Sequence, residues 1–266
     1  MVVYPSTNTK EKNTLTINLN SKTMKKTIST LVLALTVSFT SNAQSWWNSK
    51  KIKGNGKVVT EIRNTGNYDG VAVGGSFDVI LVNGTEGKIT IESEENLLPY
   101  IITEVERNTL KIKYKKNTNI RTTKKLVVTV PVKEIDQISL GGSGTITSSG
   151  QLNSKEFKVN LGGSGRIELE LDATDVSASI GGSGDIKLSG KTNEFRCSIA
   201  GSGSIKAYEL QSNDLNANIA GSGSIRTTVS TRINAKVVGS GRVYYKGEPK
   251  YVDSKSVGSG DVVDKN

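Results

Sequence analysis

A Gly-Ser-Gly triplet recurs through the C-terminal half of this 266-residue chain and limits what it can fold into. The intervals between the first glycines are 21, 19, 19, 20, 18 and 19 residues, for triplets that begin at Gly142, Gly163, Gly182, Gly201, Gly221, Gly239 and Gly258. Such regularity is typical of a solenoid, in which each unit buries its apolar face against its neighbours. Glycine allows the tight turn, and we expect the triplet serines to stack and to share hydrogen bonds along the stack.

The residues around each triplet alternate between apolar and polar. Counted from the first glycine, positions −6, −4, −2 and +4 are apolar; the +4 column holds Ile146, Ile167, Ile186, Ile205, Ile225, Val243 and Val262. This period of two predicts two half-buried strands in each repeat. The sequence therefore predicts an all-β chain folded as a parallel β-helix with coils of about 19 residues. A β-sandwich is the alternative, but its strands alternate in direction and would not keep one column uniform through the repeats.

Residues 54–133 are rich in strand patterns but less regular than residues 134–266. The segment Val71–Val79 reads as a degenerate repeat in which Phe77 replaces the second glycine of the triplet. We expect opening coils of the same stack with an inserted hairpin, a short helical turn over Glu94–Tyr100, and a single domain over residues 54–266. In the last unit Ser256 occupies position −2, and such a polar replacement suits a cap.

The N-terminal region has the features of a secretory signal. Lys25 and Lys26 precede an apolar run over Ile28–Phe39, and Ser41-Asn42-Ala43 offers a cleavage site. This order predicts a signal peptide over residues 24–43, a mis-annotated start over 1–23 and a disordered leader over 44–53. The mature chain, which would begin near Gln44, has no later apolar run long enough to cross a membrane. We expect export to the periplasm, the outer-membrane surface or the extracellular space.

Composition narrows the functional classes. The chain has no His, which removes the commonest general base and the commonest metal ligand. Its formal charge is +10, and removal of residues 1–43 lowers it to +6, so an exported protein of this kind is not expected to bind nucleic acid. Cys197 is the single cysteine and lies in the −4 column among small apolar residues, which predicts a buried thiol. No cofactor is expected.

Several of these segments together resemble a known family. The run Val73–Val79, then Leu110–Ile112, then Val128–Pro131, followed by repeated Gly-Gly-Ser-Gly-x-Ile, resembles the head GIN domain family of exported bacterial proteins. The resemblance covers about residues 58–262 and implies a right-handed parallel β-helix and an envelope or surface location. It implies no catalytic residues. The chain lacks a recognisable translocating barrel of its own, so the autotransporter part of the family's description does not apply literally.

Several motifs that resemble binding sites also have plainer structural explanations. The glycine-rich corners lack the Gly-Lys-Ser/Thr ending and the helix of a phosphate loop, and Asp185 and Asp261 recur too rarely for a calcium roll. The outward +5 column forms a candidate stripe for an anionic glycan or polymer, or else a solvated face, at Lys187, Lys206, Arg226 and Tyr244. Trp46 and Trp47 could bind a sugar ring or cover the first coil.

Two functional hypotheses follow. The first is an exported, non-catalytic module of the cell envelope that is adhesin-like or structural and binds an envelope polysaccharide or a protein partner. The second is a polysaccharide-cleaving enzyme, because parallel β-helices host such chemistry. That chemistry needs clustered carboxylates, and we expect the acids to be scattered over different columns, at Asp172, Asp175, Asp185, Glu194, Glu209 and Asp214. No metal site is expected, and the oligomeric state is left open.

Overall fold

The computed structural model describes residues 50–266. The proposed start and signal segments, residues 44–49 of the proposed leader, and Trp46 and Trp47 lie outside the described residues. Lys50–Lys53 form strand β1, which pairs in parallel with β8 (Thr118–Arg121), so the prediction of a disordered leader over 44–53 is wrong for these four residues. Their backbone groups find partners on a distant strand, and the Gly54 amide continues the pairing by donating to the Arg121 carbonyl at 2.9 Å.

The repeats form a stack of parallel strands, which confirms the β-solenoid and excludes the sandwich. From β10 to β16, each strand pairs with strands of the preceding and the following coil, and β17 and β18 end the stack with one partner each. Ile186 pairs with Ile205 and Ile205 with Ile225, so equivalent residues lie directly above one another. The strands of the repeats are β10 (Gln137–Gly142), β11 (Thr145–Gly163), β12 (Arg166–Gly182), β13 (Asp185–Gly201), β14 (Ser204–Gly221), β15 (Ser224–Gly239), β16 (Arg242–Lys246), β17 (Tyr251–Gly258) and β18 (Asp261–Asp264).

The apolar columns line a continuous dry interior. From Ile138 to Val243, residues at positions −6, −4, −2 and +4 are at most 3% exposed. Cys197 is among them, and its burial raises the pKa of the thiol, which confirms the predicted buried role. The two strands expected in each repeat are instead one continuous strand of 16 to 19 residues in β11 to β15, bent where the pairing register shifts.

The Gly-Ser-Gly corners are held by backbone hydrogen bonds. The first glycine of each triplet has a φ between 110° and 139°, and at the Gly182 corner the Ser183 amide donates to the Gly163 carbonyl at 2.9 Å. The triplet serines are exposed, and within residues 50–266 their side chains make no hydrogen bonds with one another, so the expected serine ladder is wrong. The coils approach so closely through their amides that the backbone itself forms the ladder.

The N-terminal part adds opening coils and antiparallel strands to the same stack. Strand β3 pairs with β10 so that Val71 faces Ile138 and Gly75 faces Gly142, which confirms the degenerate repeat. Phe77 packs on Tyr114 at a ring-centroid distance of 4.4 Å. Strands β6 and β7 form the inserted hairpin, and β2 and β5 are also antiparallel. The elements are β2 (Val58–Asn64), β3 (Gly70–Gly75), β4 (Asp78–Asn83), β5 (Lys88–Glu94), a 3₁₀ helix (Glu95–Tyr100), β6 (Ile101–Glu106), β7 (Thr109–Tyr114) and β9 (Val127–Val132).

The buried carboxylate of Glu94 connects two loops of the N-terminal part through hydrogen bonds. Glu94 is 1% exposed and accepts hydrogen bonds from the Gly56 amide and from the amide and hydroxyl of Thr123 at 2.5 to 2.8 Å. Burial acts to raise the pKa of Glu94, but the hydrogen bonds from Thr123, Gly56 and Lys124 outweigh it and lower the pKa to about 2. Glu94 is therefore ionised in the folded chain at neutral pH.

The C-terminal coil carries polar residues in columns that are apolar elsewhere. Ser254 pairs with Ala235 and Ser256 with Val237, and all eight residues of β17 are exposed. The prediction of polar residues at the end of the stack is confirmed at Ser254 and Ser256, whereas Val252, in the inward −6 column of the same coil, is apolar and exposed. Among the described residues, no helix has the length and apolar character that a membrane crossing requires.

Candidate functional site: a polar groove along the solenoid

The predicted +5 stripe is a physical column. Lys187 pairs with Lys206, Lys206 with Arg226, and Arg226 with Tyr244, on four successive coils. The structure therefore brings all four predicted residues together on the outer surface. Whether they bind a ligand stays a prediction.

Most of the positive charge in this column is matched by carboxylates of the same or neighbouring coils. The Lys187 Nζ lies 3.0 Å from Glu168 Oε1 and 3.8 Å from Glu209 Oε2, and the hydrogen bond to Glu168 raises the pKa of Lys187. The Lys206 Nζ lies 3.3 Å from Asp185 Oδ2. The lower part of the column is thus a set of exposed ion pairs.

The Arg226 end has a different chemistry. Its guanidinium donates to Ser204 Oγ at 3.2 Å and to Ser224 Oγ at 3.3 Å, and lies over the Tyr244 ring at 5.5 Å from the centroid. Within the described part of the chain, no carboxylate lies within ion-pair distance of Arg226. A depression of about 280 Å³ beside it is lined by Lys187, Lys206, Tyr208, Glu209 and Arg226. This end offers an unpaired cation next to aromatic rings.

A larger feature lies at another bend of the coils. A groove of about 740 Å³ crosses five successive coils at equivalent positions and is lined mainly by hydroxyl, amide and charged side chains. Four steps at the strand spacing give a length of roughly 19 Å along the stack. Its residues are Asp172, Ala173, Thr174, Lys191, Thr192, Asn193, Gln211, Ser212, Asn213, Thr228, Val229, Ser230, Gly247 and Glu248.

The groove forms where the alternation of inward and outward residues along the strand is interrupted. Thr192 is buried, Asn193 is exposed, Glu194 is half-buried and Phe195 is buried again, so successive inward residues are three apart instead of two. Pairing between coils skips Asn193, which marks the bend. The Thr192 hydroxyl lies 3.0 Å from the Thr174 carbonyl, so it replaces a hydrogen bond that the bend removes.

Side chains form a polar ladder along the groove. The Asn213 amide donates to the Asn193 Oδ1 at 3.4 Å, and the Ser230 hydroxyl donates to the Asn213 Oδ1 at 3.0 Å. Lys191 and Asp172 form an ion pair at 3.0 Å. Amides and hydroxyls that repeat at strand spacing can donate and accept hydrogen bonds all along an extended polar ligand.

A second depression continues the groove toward the N-terminal coils. It has a volume of about 640 Å³, shares Asp172 with the first, and is lined by Asp69, Glu134, Ile135, Asp136, Asn153, Ser154, Lys155 and Asp172. Three further coils, at residues 153–155, residues 134–136 and Asp69, extend the polar surface to roughly 34 Å at the strand spacing. The described residues contain no group of three or more His, Cys, Asp or Glu side chains arranged to hold a metal ion.

The carboxylates are less scattered than we expected from the sequence. Asp175 pairs with Glu194 and Glu194 with Asp214, so three of the six acids share one column, and Glu156 precedes them in it. The expectation of different columns is wrong because all four lie seven residues before the first glycine of the following triplet. This column flanks the groove, since each of the three follows directly after Thr174, Asn193 or Asn213.

The carboxylate column is partly neutralised by its surroundings. Arg196 pairs with Glu194 and lies 4.0 Å from Asp175, and the Asn216 amide donates to Glu194 at 3.0 Å. Asp214 pairs in register with Arg232 of the next coil, and its Oδ1 is buried without a hydrogen-bond partner. The arrangement places charge beside the groove but does not isolate one acid and one base.

Comparisons with known proteins agree with this architecture. A family model described as "Putative auto-transporter adhesin, head GIN domain" matches residues 67–249. A solved structure of a "putative adhesin" from Bacteroides fragilis is similar with 24% identity and a TM-score of 0.77, over 80% of this chain and 100% of that one. A "putative lipid binding protein" from Parabacteroides distasonis is similar with 29% identity and a TM-score of 0.68, over 82% of this chain and 100% of that one.

A third solved structure, a "putative adhesin" from Parabacteroides merdae, has 24% identity and a TM-score of 0.66, over 82% of this chain and 100% of that one. The comparison with curated proteins found no match.

Proposed function

Since the chain belongs to the head GIN domain family, we propose that it is an adhesin-like, non-catalytic binding module of the bacterial cell envelope that holds a polysaccharide along its polar groove. One observation carries the proposal: amide and hydroxyl side chains repeat along a groove that crosses five coils. Because the groove runs parallel to the stack, its shape fits an extended chain better than a compact ligand.

The lining of the groove favours a hydroxyl-rich ligand over a lipid tail. Asn193, Gln211, Asn213 and Ser230 present hydrogen-bonding groups, whereas a lipid tail would need an apolar lining. The neighbour described as a lipid-binding protein is a different protein, and its description supports a binding role in general.

A glycan array with product analysis tests this function. We expect polysaccharide or oligosaccharide binding that is weakened by the pair Asn193→Ala and Asn213→Ala. The matched control is the pair Asn160→Ala and Asn218→Ala, because these exposed asparagines lie in the −3 column, away from the groove. Equal binding by both double variants would refute the groove as the site.

Polysaccharide cleavage is a second candidate, and the carboxylate column beside the groove favours it. The backbones of Asp175, Glu194 and Asp214 on successive coils are about 5 Å apart at the strand spacing, which allows neighbouring carboxyl groups to approach the separation that retaining glycosidases use. If the wild-type chain releases cleaved products, and Glu194→Gln still binds the polysaccharide but releases none, the chain is an enzyme and the non-catalytic role is refuted.

The +5 column is proposed as an additional contact for acidic groups on the polymer. Arg226 is the residue of the column that supports this role, because Lys187 and Lys206 are already paired with carboxylates whereas Arg226, among the described residues, is not. We expect Arg226→Ala to weaken binding of an anionic polysaccharide more than Arg242→Ala, an exposed arginine of the +3 column. Equal effects of the two variants would remove the column from the site.

Export to the envelope is proposed on the signal-like pattern over residues 24–43 and on the family's description. Mass spectrometry of the protein isolated from its cells is expected to find an N-terminus near Gln44. A chain that retains residues 24–43 in the soluble fraction of the cell interior would contradict the proposal.

A further inference from the structure

Strand β17 is an exposed sheet edge. It pairs with β15 on one side, and within residues 50–266 no strand pairs with its other side. Three of its apolar residues are open to solvent: Tyr251 is 62% exposed, Val252 47% and Val257 69%. Unpaired backbone groups together with exposed apolar side chains make such an edge a template for another strand.

The sequence of β17 is self-complementary about Ser254. In an antiparallel pairing centred on this residue, Asp253 would face the partner's Lys255 and Lys255 would face the partner's Asp253. Tyr251 would face the partner's Val257, a pairing of an aromatic and a β-branched residue. Opposite charges in the middle and apolar pairs at both ends are what a two-fold interface needs.

Neighbouring registers lack this complementarity. A shift of the centre to Asp253 places two aspartates opposite each other, and a shift to Lys255 places two lysines opposite each other. A shift that pairs odd with even positions would put inward residues against outward ones. Among these registers, the one centred on Ser254 alone makes two opposite-charge pairs.

The lysines of β17 and of the coil beneath it also favour a second copy of this chain as the partner. Lys255 pairs in register with Lys236 of the coil beneath, so two like charges lie one strand apart. In the described structure neither lysine lies within ion-pair distance of a carboxylate. The partner's Asp253 would stand directly across from Lys255 and offset this repulsion.

We propose that two copies of this chain associate end to end through antiparallel pairing of their β17 strands about Ser254. The pairing continues the sheet from one solenoid into the other and covers Tyr251, Val252 and Val257. A lysine on an edge strand ordinarily discourages pairing, but here the aspartate two residues away supplies its counter-charge in the second copy.

Sedimentation velocity of the full chain over a range of concentrations tests the association. We expect a monomer–dimer equilibrium that weakens about tenfold or more in Asp253→Lys or Lys255→Asp, since each places like charges opposite each other. The double variant Asp253→Lys with Lys255→Asp restores opposite charges and is expected to recover the dimer. Lys158→Asp, at an exposed outward position of β11, is the matched control and is expected to leave the dimer unchanged.

A disulfide across the two-fold axis tests the register. In the proposed pairing the two Ser254 Cα atoms are about 4.5 to 5.5 Å apart, within the range for a disulfide. Ser254→Cys is therefore expected to give a covalent dimer under mild oxidation. Val257→Cys, which faces the partner's Tyr251, is expected to give much less. The native Cys197 is buried and does not compete.

Several outcomes would overturn the proposal. If the chain stays monomeric at all concentrations, it lacks the interface. If the dimer dissociation constant is the same in the wild type and in the charge variants, the dimer uses another surface. Equal cross-linking by both cysteine variants contradicts the register. If the exposed Tyr251 and Val257 instead mediate binding to phosphatidylglycerol vesicles, with the chain monomeric in solution, the edge serves a membrane surface and the dimer is refuted.

Discussion

Two adjacent glycines provide a matched test of how closely the coils are packed. Gly182 is the first residue of its triplet, has a φ of 134°, and an added Cβ would lie 2.4 Å from the Gly163 carbonyl oxygen. Gly181 precedes it without a positive φ, and an added Cβ there would meet nothing within 4 Å. The same column already holds alanine in the next two coils, at Ala200 and Ala220.

The structure gives the expected size of the difference. At Gly182 an alanine must adopt a backbone conformation that costs about 1–3 kcal/mol for residues with a side chain. The Cβ also contacts backbone, which cannot rotate away, so we expect a total loss of about 3 kcal/mol or more. At Gly181 an alanine restricts the unfolded chain and is expected to change stability by less than about 1 kcal/mol, in the stabilising direction.

Urea denaturation of Gly182→Ala and Gly181→Ala, followed by circular dichroism, measures both effects. We expect a much lower midpoint for Gly182→Ala and a midpoint at or slightly above the wild type for Gly181→Ala. Midpoints that agree within error would refute the close backbone approach at the corners.

Two further variants test the interior and the N-terminal loops. Ile205→Ala is expected to lower the free energy of unfolding by about 2–5 kcal/mol because Ile205 is fully buried between Ile186 and Ile225, whereas Val262→Ala, which is only partly buried, should cost far less in the same denaturation assay. The carboxylate of Glu94 has a pKa of about 2 in the folded chain against 4.5 ordinarily, so its contribution is present above about pH 4.5 and is lost as the pH falls toward 2. Thermal unfolding should therefore show a shallower loss of stability over this interval in Glu94→Gln than in the wild type, and identical pH profiles would contradict the role of Glu94.

The inward columns could be predicted because they obey two rules at once. Ile186, Ile205 and Ile225 repeat at the period of the coil and also alternate with polar neighbours, so both their stacking and their burial follow from the sequence. Phe77 could be placed as well, because the residues before it match the columns of later repeats. The +5 column follows from the same counting.

The groove could not be predicted because the alternation fails there. Its inward residues differ from coil to coil, as at Ala173, Thr192, Ser212 and Val229, so no single residue type marks the bend. The carboxylate column had a signal, but it appears only when positions are counted back from the following triplet. Strand β1 pairs with residues far away in the chain, and four residues with three lysines give no local indication of such pairing.

The dependence of binding on ligand length tests the proposed groove most directly. Titration calorimetry with a series of oligosaccharides from a polymer that the chain binds is expected to show affinity that rises with length and then levels off once the ligand fills the five coils of the groove. The same series on Asn193→Ala with Asn213→Ala should lose this dependence. A single sugar that binds as tightly as the long chain would contradict a site built along the axis of the solenoid.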